Sequence, residues 1–158
     1  MTTTPGAADD ALALPIRDHG LERRLRARIQ DVEVRLGEAI LSEASFVTEA
    51  ARHLMAAGGK RFRPLLVLLA AETGDPENAD TDGVLTSACV VELTHLGSLY
   101  HDDVMDEAEY RRGVPSVNAR WGNLVAILSG DFLLARASEI AASLGTEVAA
   151  LLARTIGR

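Results

Sequence analysis

Asp102, Asp103 and Asp106, followed by Arg111 and Arg112, are the residues of this 158-residue chain whose types and spacing most directly suggest chemistry. The apolar residues before them (Val90, Val91, Leu93, Leu96 and Leu99) predict a helix. On it, Asp102 and Asp106 would project from one face, one turn apart. Two carboxylates so stacked repel each other, at a cost of roughly a few tenths of a kcal/mol, and Asp is a mediocre helix former besides. A divalent cation reverses the sign. Mg²⁺ takes oxygen ligands, keeps several waters, and is typically held by one or two carboxylates plus the phosphate oxygens of a substrate. Arg111 and Arg112 would then grip phosphate oxygens that the metal leaves free. The competing reading is a solvated helix end whose ion pairs contribute little.

A second cluster favours the metal-diphosphate reading. Gly58-Gly59-Lys60-Arg61-Phe62-Arg63-Pro64 places two glycines, three cations and a proline between two apolar helical patterns. Glycine opens backbone conformations closed to other residues, and Pro64 suits the first turn of a helix. Lys60 is the only lysine of the chain, which fits a compact point charge on phosphate better than general surface charge. Glu92 and His95 form one Glu-x-x-His pair. Di-iron carboxylate bundles carry that pair twice, so a carboxylate metal-binding bundle is a weaker alternative. A lone helical histidine is more often a core residue, and His101 reads as structural.

The elements that position these residues are helical. Apolar residues at Leu21, Leu25, Ile29, Val32, Leu36 and Ile40 mark one amphipathic helix. A second runs from about Ser45, read as its N-cap, to Ala57. The third follows Pro64, is apolar on nearly every side through Leu65, Leu66, Val67, Leu68 and Leu69, and is expected to be buried, ending near Gly74-Asp75-Pro76. A long helix from about Thr81 carries the acidic cluster near its C-terminal end. Gly113, Pro115 and Asn118 read as a loop, after which Leu124, Ile127, Leu128, Phe132 and Leu133 form another helix in which Asp131 needs a partner. No period-2 strand pattern or Asn-Gly hairpin competes, so the fold class is all-α.

Composition adds exclusions. A content of 47% apolar residues supports a packed core, and a net charge of −7 argues against a nucleic-acid partner. The single Cys89 cannot form an internal disulfide and reads as a buried core residue in a reducing compartment. Residues 1–16 read as a disordered lead-in without targeting features. No run of roughly 20 apolar residues offers a membrane span, so a cytoplasmic protein is expected.

Taken together, Gly58-Gly59-Lys60-Arg61-x-Arg63-Pro64 and Asp102-Asp103-x-x-Asp106 with Arg111-Arg112-Gly113 resemble two signatures of the trans-type isoprenyl (polyprenyl) diphosphate synthases. That resemblance implies a helical bundle of the isoprenoid synthase type, with residues 17–158 as the N-terminal part of a polyprenyl synthetase domain. It implies Asp102 and Asp106 as Mg²⁺ ligands supported by Asp103, and Arg111 as a contact to an allylic diphosphate. Lys60, Arg63, His95 and Arg112 would bind isopentenyl diphosphate, while Arg61 falls on no family contact and is expected in solvent. The implied reaction is head-to-tail prenyl transfer. Gly97 and Ser98, small residues one turn or so before Asp102, imply a medium- to long-chain product. Nothing after Arg112 resembles the family's second aspartate-rich motif, and members run to roughly twice this length. Residues 1–158 alone are therefore expected to be inactive, as the N-terminal half of a homodimeric or heteromeric enzyme or as a non-catalytic partner subunit.

Overall fold

The computed structural model describes residues 16–157; the lead-in expected at 1–16 lies, Ile16 apart, outside them. Helix α1 (His19–Ala39) opens at Asp18, whose carboxylate accepts the N–H groups of Gly20 (2.7 Å) and Leu21 (3.0 Å). These bonds hold the Asp18 carboxyl below its usual range, and they satisfy donors that a helix start otherwise leaves open. Helix α2 (Ser45–Ala56) begins one residue earlier than expected of a Ser45 cap: Ala44 holds the N-cap position, with no side-chain bond. Instead the Ser42 N–H donates to the Thr48 hydroxyl (2.9 Å), which fixes the entering chain.

Helix α3 (Phe62–Glu72) is less buried than its composition suggests. Pro64, Leu65 and Leu68 are covered, whereas Phe62 and Leu66 are about half exposed. One side meets α1, where Leu25, Ile29, Leu65 and Leu68 form a small core that Ile16 also touches. A short turn of helix, α4 (Pro76–Ala79), leads to α5 (Asp82–Met105), the longest element.

A hairpin that the sequence does not announce follows α5. Strands β1 (Tyr110–Arg111) and β2 (Val114–Pro115) pair antiparallel with Tyr110 opposite Pro115. Arg112 (φ 53) and Gly113 (φ 78) are its two loop residues, and two positive φ angles in succession give the type I′ turn whose twist suits a hairpin. Strands of two residues are too short to show alternation, and Arg-Gly takes the place of the commoner Asn-Gly. Helices α6 (Val117–Trp121), α7 (Asn123–Ser143) and α8 (Thr146–Ile156) complete the chain.

The main core lies among α1, α2, α5 and α7, around Val32, Leu36, Leu54, Leu93, Leu96, Tyr100 and Leu133. Tyr100 is fully buried, and its hydroxyl donates to the carbonyls of Ala50 (2.6 Å) and Ala51 (3.0 Å), pinning α2 to α5. Cys89 is buried as expected, and burial pushes its thiol up to about 11. No helix among the described residues is long and apolar enough to cross a membrane.

Candidate functional site

The end of α5 separates the three aspartates by geometry. Asp106 is the C-cap with φ −86° and ψ −2°, so it keeps helical conformation and stays on the face of Asp102. Glu107 then turns left-handed (φ 50°), while the Ala108 N–H bonds the Asp103 carbonyl (2.9 Å) and the Glu107 N–H that of Val104. This is a Schellman ending with a non-glycine at the left-handed position. Asp102 and Asp106 are exposed, and neither carboxylate has a hydrogen-bond or ion-pair partner among the described residues. Asp103 is fully buried: one oxygen takes Nε (2.7 Å) and Nη2 (2.6 Å) of Arg111, and the other is buried without a partner. The last turn of α5 holds no basic residue, and the negative pole of a helix disfavours carboxylates there. Two unpaired acids at that position fit a cation.

Their chemistry fits the metal implied above. No group of three or more His, Cys, Asp or Glu able to hold a metal occurs among the described residues, so the chain offers two carboxylates and leaves the other positions to water or substrate oxygens. The di-iron alternative loses its Glu: Glu92 is buried and bonded to Arg61 (3.2 Å).

The hairpin sends the two arginines to different tasks, since Arg111 ends β1 and Arg112 begins its left-handed turn. Arg111 lies on Asp103. Arg112 donates to the carbonyls of Leu54 (3.0 Å) and Gly58. Burial, then the nearby Arg61, lowers its proton affinity, and Glu92 restores part of it. Arg112, expected to contact diphosphate, is thus first of all an anchor for the loop that carries Lys60. That loop uses positive φ at Gly58 (89°), Gly59 (153°) and Arg61 (45°). A Cβ on Gly59 would sit 2.7 Å from Nη1 of Arg61 and 2.9 Å from Nη1 of Arg112, so only glycine lets the backbone pass between the two guanidinium groups.

Lys60 and Arg63 are exposed at the start of α3. Arg61 is not: at 2% exposure it corrects the expectation of a solvent-facing side chain. His95 is partly buried, and its pKa is pushed down to about 4, first by burial and then by the guanidinium groups of Arg63 and Arg112, with Asp102 acting the other way. A ring that feels Arg63, Arg111, Arg112 and Asp102 together stands between the basic loop and the acidic helix end. It is neutral near pH 7.

Gly97 and Ser98 face differently. A Cβ on Gly97 would meet Cγ of Leu134 at 2.9 Å and the carbonyl of Gly130 at 3.1 Å, and a Cβ on Gly130 would meet His101 at 2.5 Å and the Gly97 carbonyl at 3.1 Å. Gly97 is therefore small because α5 and α7 cross there, and Ser98 alone of the pair is exposed. Asp131 finds its partner in His101 (3.2 Å), whose ring also contacts the Ile127 carbonyl (3.3 Å). Sequence reasoning missed Asn118, whose amide donates to the carbonyls of Asp103 (3.2 Å) and Ala108 (3.1 Å). It also missed His53, which contacts the Pro115 carbonyl at 2.7 Å and thereby fixes the hairpin to α2. Both were hidden as ordinary loop and helix residues.

The described residues form an all-α bundle that sets two unpaired carboxylates at one helix end and exposes Lys60 and Arg63 at the start of another. Residues 44–158 match the model of the polyprenyl synthetase family, and the chain belongs to that family. It is 47% identical over 131 residues to the nonaprenyl diphosphate synthase of Mycobacterium tuberculosis, covering 83% of this chain and 37% of that protein. It is also 47% identical over 126 residues to heptaprenyl diphosphate synthase component 2 of Geobacillus stearothermophilus, covering 79% and 38%. Geranylgeranyl pyrophosphate synthase of Corynebacterium glutamicum, solved with calcium and isoprenyl diphosphate, superposes with a TM-score of 0.77 at 45% identity, over 91% of this chain and 43% of that one. The chain thus spans less than half the length of these relatives.

Proposed function

We propose that this chain carries the Mg²⁺-diphosphate half of a prenyltransferase site that condenses isopentenyl diphosphate with an allylic diphosphate. The observation that carries this reading is the contrast within one motif: Asp103 is buried on Arg111, while Asp102 and Asp106 stay exposed and unpaired. Asp102 and Asp106 would hold Mg²⁺, which when bound neutralises charge gathering on a departing diphosphate. Arg111, held on Asp103 through Nε and Nη2, keeps Nη1 for the allylic diphosphate. Lys60, Arg63 and neutral His95 would bind the isopentenyl diphosphate, with Arg112 behind them. Catalysis is electrostatic and positional, with cations fixed where negative charge develops, and the reaction needs no protein nucleophile. The calcium and isoprenyl diphosphate in the Corynebacterium glutamicum structure support a divalent cation beside such a ligand.

Ser98, exposed one turn before Asp102, leaves room for a growing tail, so the proposed product is medium to long. In an enzyme carrying this segment, Ser98→Phe should shorten the product, and unchanged length by mass spectrometry would refute that. A multi-chain assembly is the second reading, favoured by the component 2 relative. The decisive experiment is isothermal titration of an allylic diphosphate analogue with Mg²⁺ into wild type and Asp102→Ala. Loss of most of the heat in the variant is expected, and equal heats would sink the assignment.

A further inference from the structure

Arg61 is the cation of the basic loop that no contact to substrate accounts for. All five of its N–H groups are used. Nε and Nη2 bond the two carboxylate oxygens of Glu33, the latter at 3.2 Å; Nη2 also bonds the Met55 carbonyl (3.2 Å); Nη1 bonds Glu92 (3.2 Å) and the Gly58 carbonyl (3.5 Å). These acceptors come from α1, the end of α2, the loop itself and α5. Its backbone is left-handed (φ 45°) although it is not glycine, a conformation kept only where the surroundings over-determine it. That backbone inversion turns the side chain inward, while the residues on either side, Lys60 and Phe62, and then Arg63, face out.

Charge makes the arrangement specific. Burial pushes the Glu92 carboxyl up, and Arg61, Arg112 and Arg63 pull it back down. Buried Glu92 thus depends on Arg61 as its bonded counter-ion, because a buried carboxylate without one is costly, and the same guanidinium bonds Glu33 on its other edge. Arg112 joins from the other side through the same Gly58 carbonyl. The loop that presents Lys60 and Arg63 is thus clamped at its root by one planar fork.

We propose that Arg61 is a positioning residue that fixes Lys60 and Arg63 for diphosphate, acting through Glu33, Glu92 and the Gly58 carbonyl. This rests on the diphosphate reading of the site. Lysine cannot replace it, since one ammonium cannot span two carboxylates and two carbonyls.

The test is a double-mutant cycle on the full 158-residue chain, titrated with inorganic diphosphate and Mg²⁺: wild type, Lys60→Ala, Arg61→Lys and the double variant. Each single change should weaken binding by about tenfold, and Lys60→Ala should add less than about twofold once Arg61 is Lys, because a loosened loop no longer aims the lysine. A merely structural arginine would leave the Lys60 contribution whole, so a full tenfold loss in the Arg61→Lys background overturns the inference while the diphosphate reading stands. If Lys60→Ala has no effect in the wild-type background, the diphosphate reading falls and this inference with it. Should Arg61→Lys lose its helical circular dichroism, Glu33→Gln keeps an acceptor for the fork and takes its place in the same cycle, with the same two deciding outcomes.

Discussion

Replacing Gly97 by alanine separates a packing role from a place in a substrate channel. In an open helix interior the change would stabilise by about 1 kcal/mol, the difference in helix propensity. Here the new Cβ would lie 2.9 Å from the Leu134 side chain and 3.1 Å from the Gly130 carbonyl. Leu134 can rotate, but the Gly130 carbonyl is backbone, so α5 and α7 must move apart. Overpacking of this kind costs about 1–3 kcal/mol; with backbone among the clashing atoms the upper part of that range applies. The net expectation is a loss of about 1–2 kcal/mol, or a fall in Tm of roughly 2–8 °C for a domain of this size. Ser98→Ala, at an exposed position one residue on, should change stability by less than about 0.5 kcal/mol. Thermal denaturation followed by circular dichroism decides between them. A Gly97→Ala variant as stable as wild type or more so would show that the helix crossing does not require glycine.

Three further outcomes follow from the site. His95 loses its proton at about pH 4 in the fold against 6.5 unperturbed, so the unfolded chain binds more protons between those values and stability should fall as pH drops from 6.5 to 4, then level off. At about 1.4 kcal/mol per pH unit, halved for partial exposure, the loss is roughly 1–2 kcal/mol, and a flat stability profile in His95→Gln relative to wild type would confirm the source. Asp103→Asn removes the counter-ion of Arg111 and should destabilise by about 2–3 kcal/mol, less than a wholly buried pair because Arg111 is partly exposed; denaturant titration showing no change would refute the pairing. Tyr100→Phe strands the carbonyls of Ala50 and Ala51 and should cost about 1–3 kcal/mol in the same assay.

Much of this was legible from residue spacing. The helices came from apolar period, and α5 carries the acidic residues where expected because nothing between Thr81 and Met105 breaks it. Burial was harder to read. Composition alone places α3 in the core, yet Phe62 and Leu66 stay half exposed, since a pattern that is apolar on every side does not say which sides meet another element. Arg61 was misjudged for a related reason: one residue in left-handed conformation reverses the direction of its side chain, and no local residue type announces that at a non-glycine. The hairpin escaped notice because its only signal was Arg112-Gly113. Gly97 and Ser98 look alike in sequence and differ in space by one helical step, about 100° of rotation.

The acids and the bases of the site remain apart, and that separation is itself built. Asp102 and Asp106 are exposed, and so are Lys60 and Arg63, yet no ion pair joins the two sets among the described residues. Flexible cations free to reach would pair with flexible carboxylates, and a ligand would then have to break those pairs before binding. Here three arginines are already committed: Arg111 to buried Asp103, Arg112 to two carbonyls, Arg61 to Glu33 and Glu92. Neutral His95 stands between, able to bond without adding charge. Their partners thus hold these three guanidinium groups off the two free aspartates. For the proposed binding of a metal with a diphosphate, such an arrangement would lower the reorganisation needed, which is how preorganisation strengthens binding without new contacts.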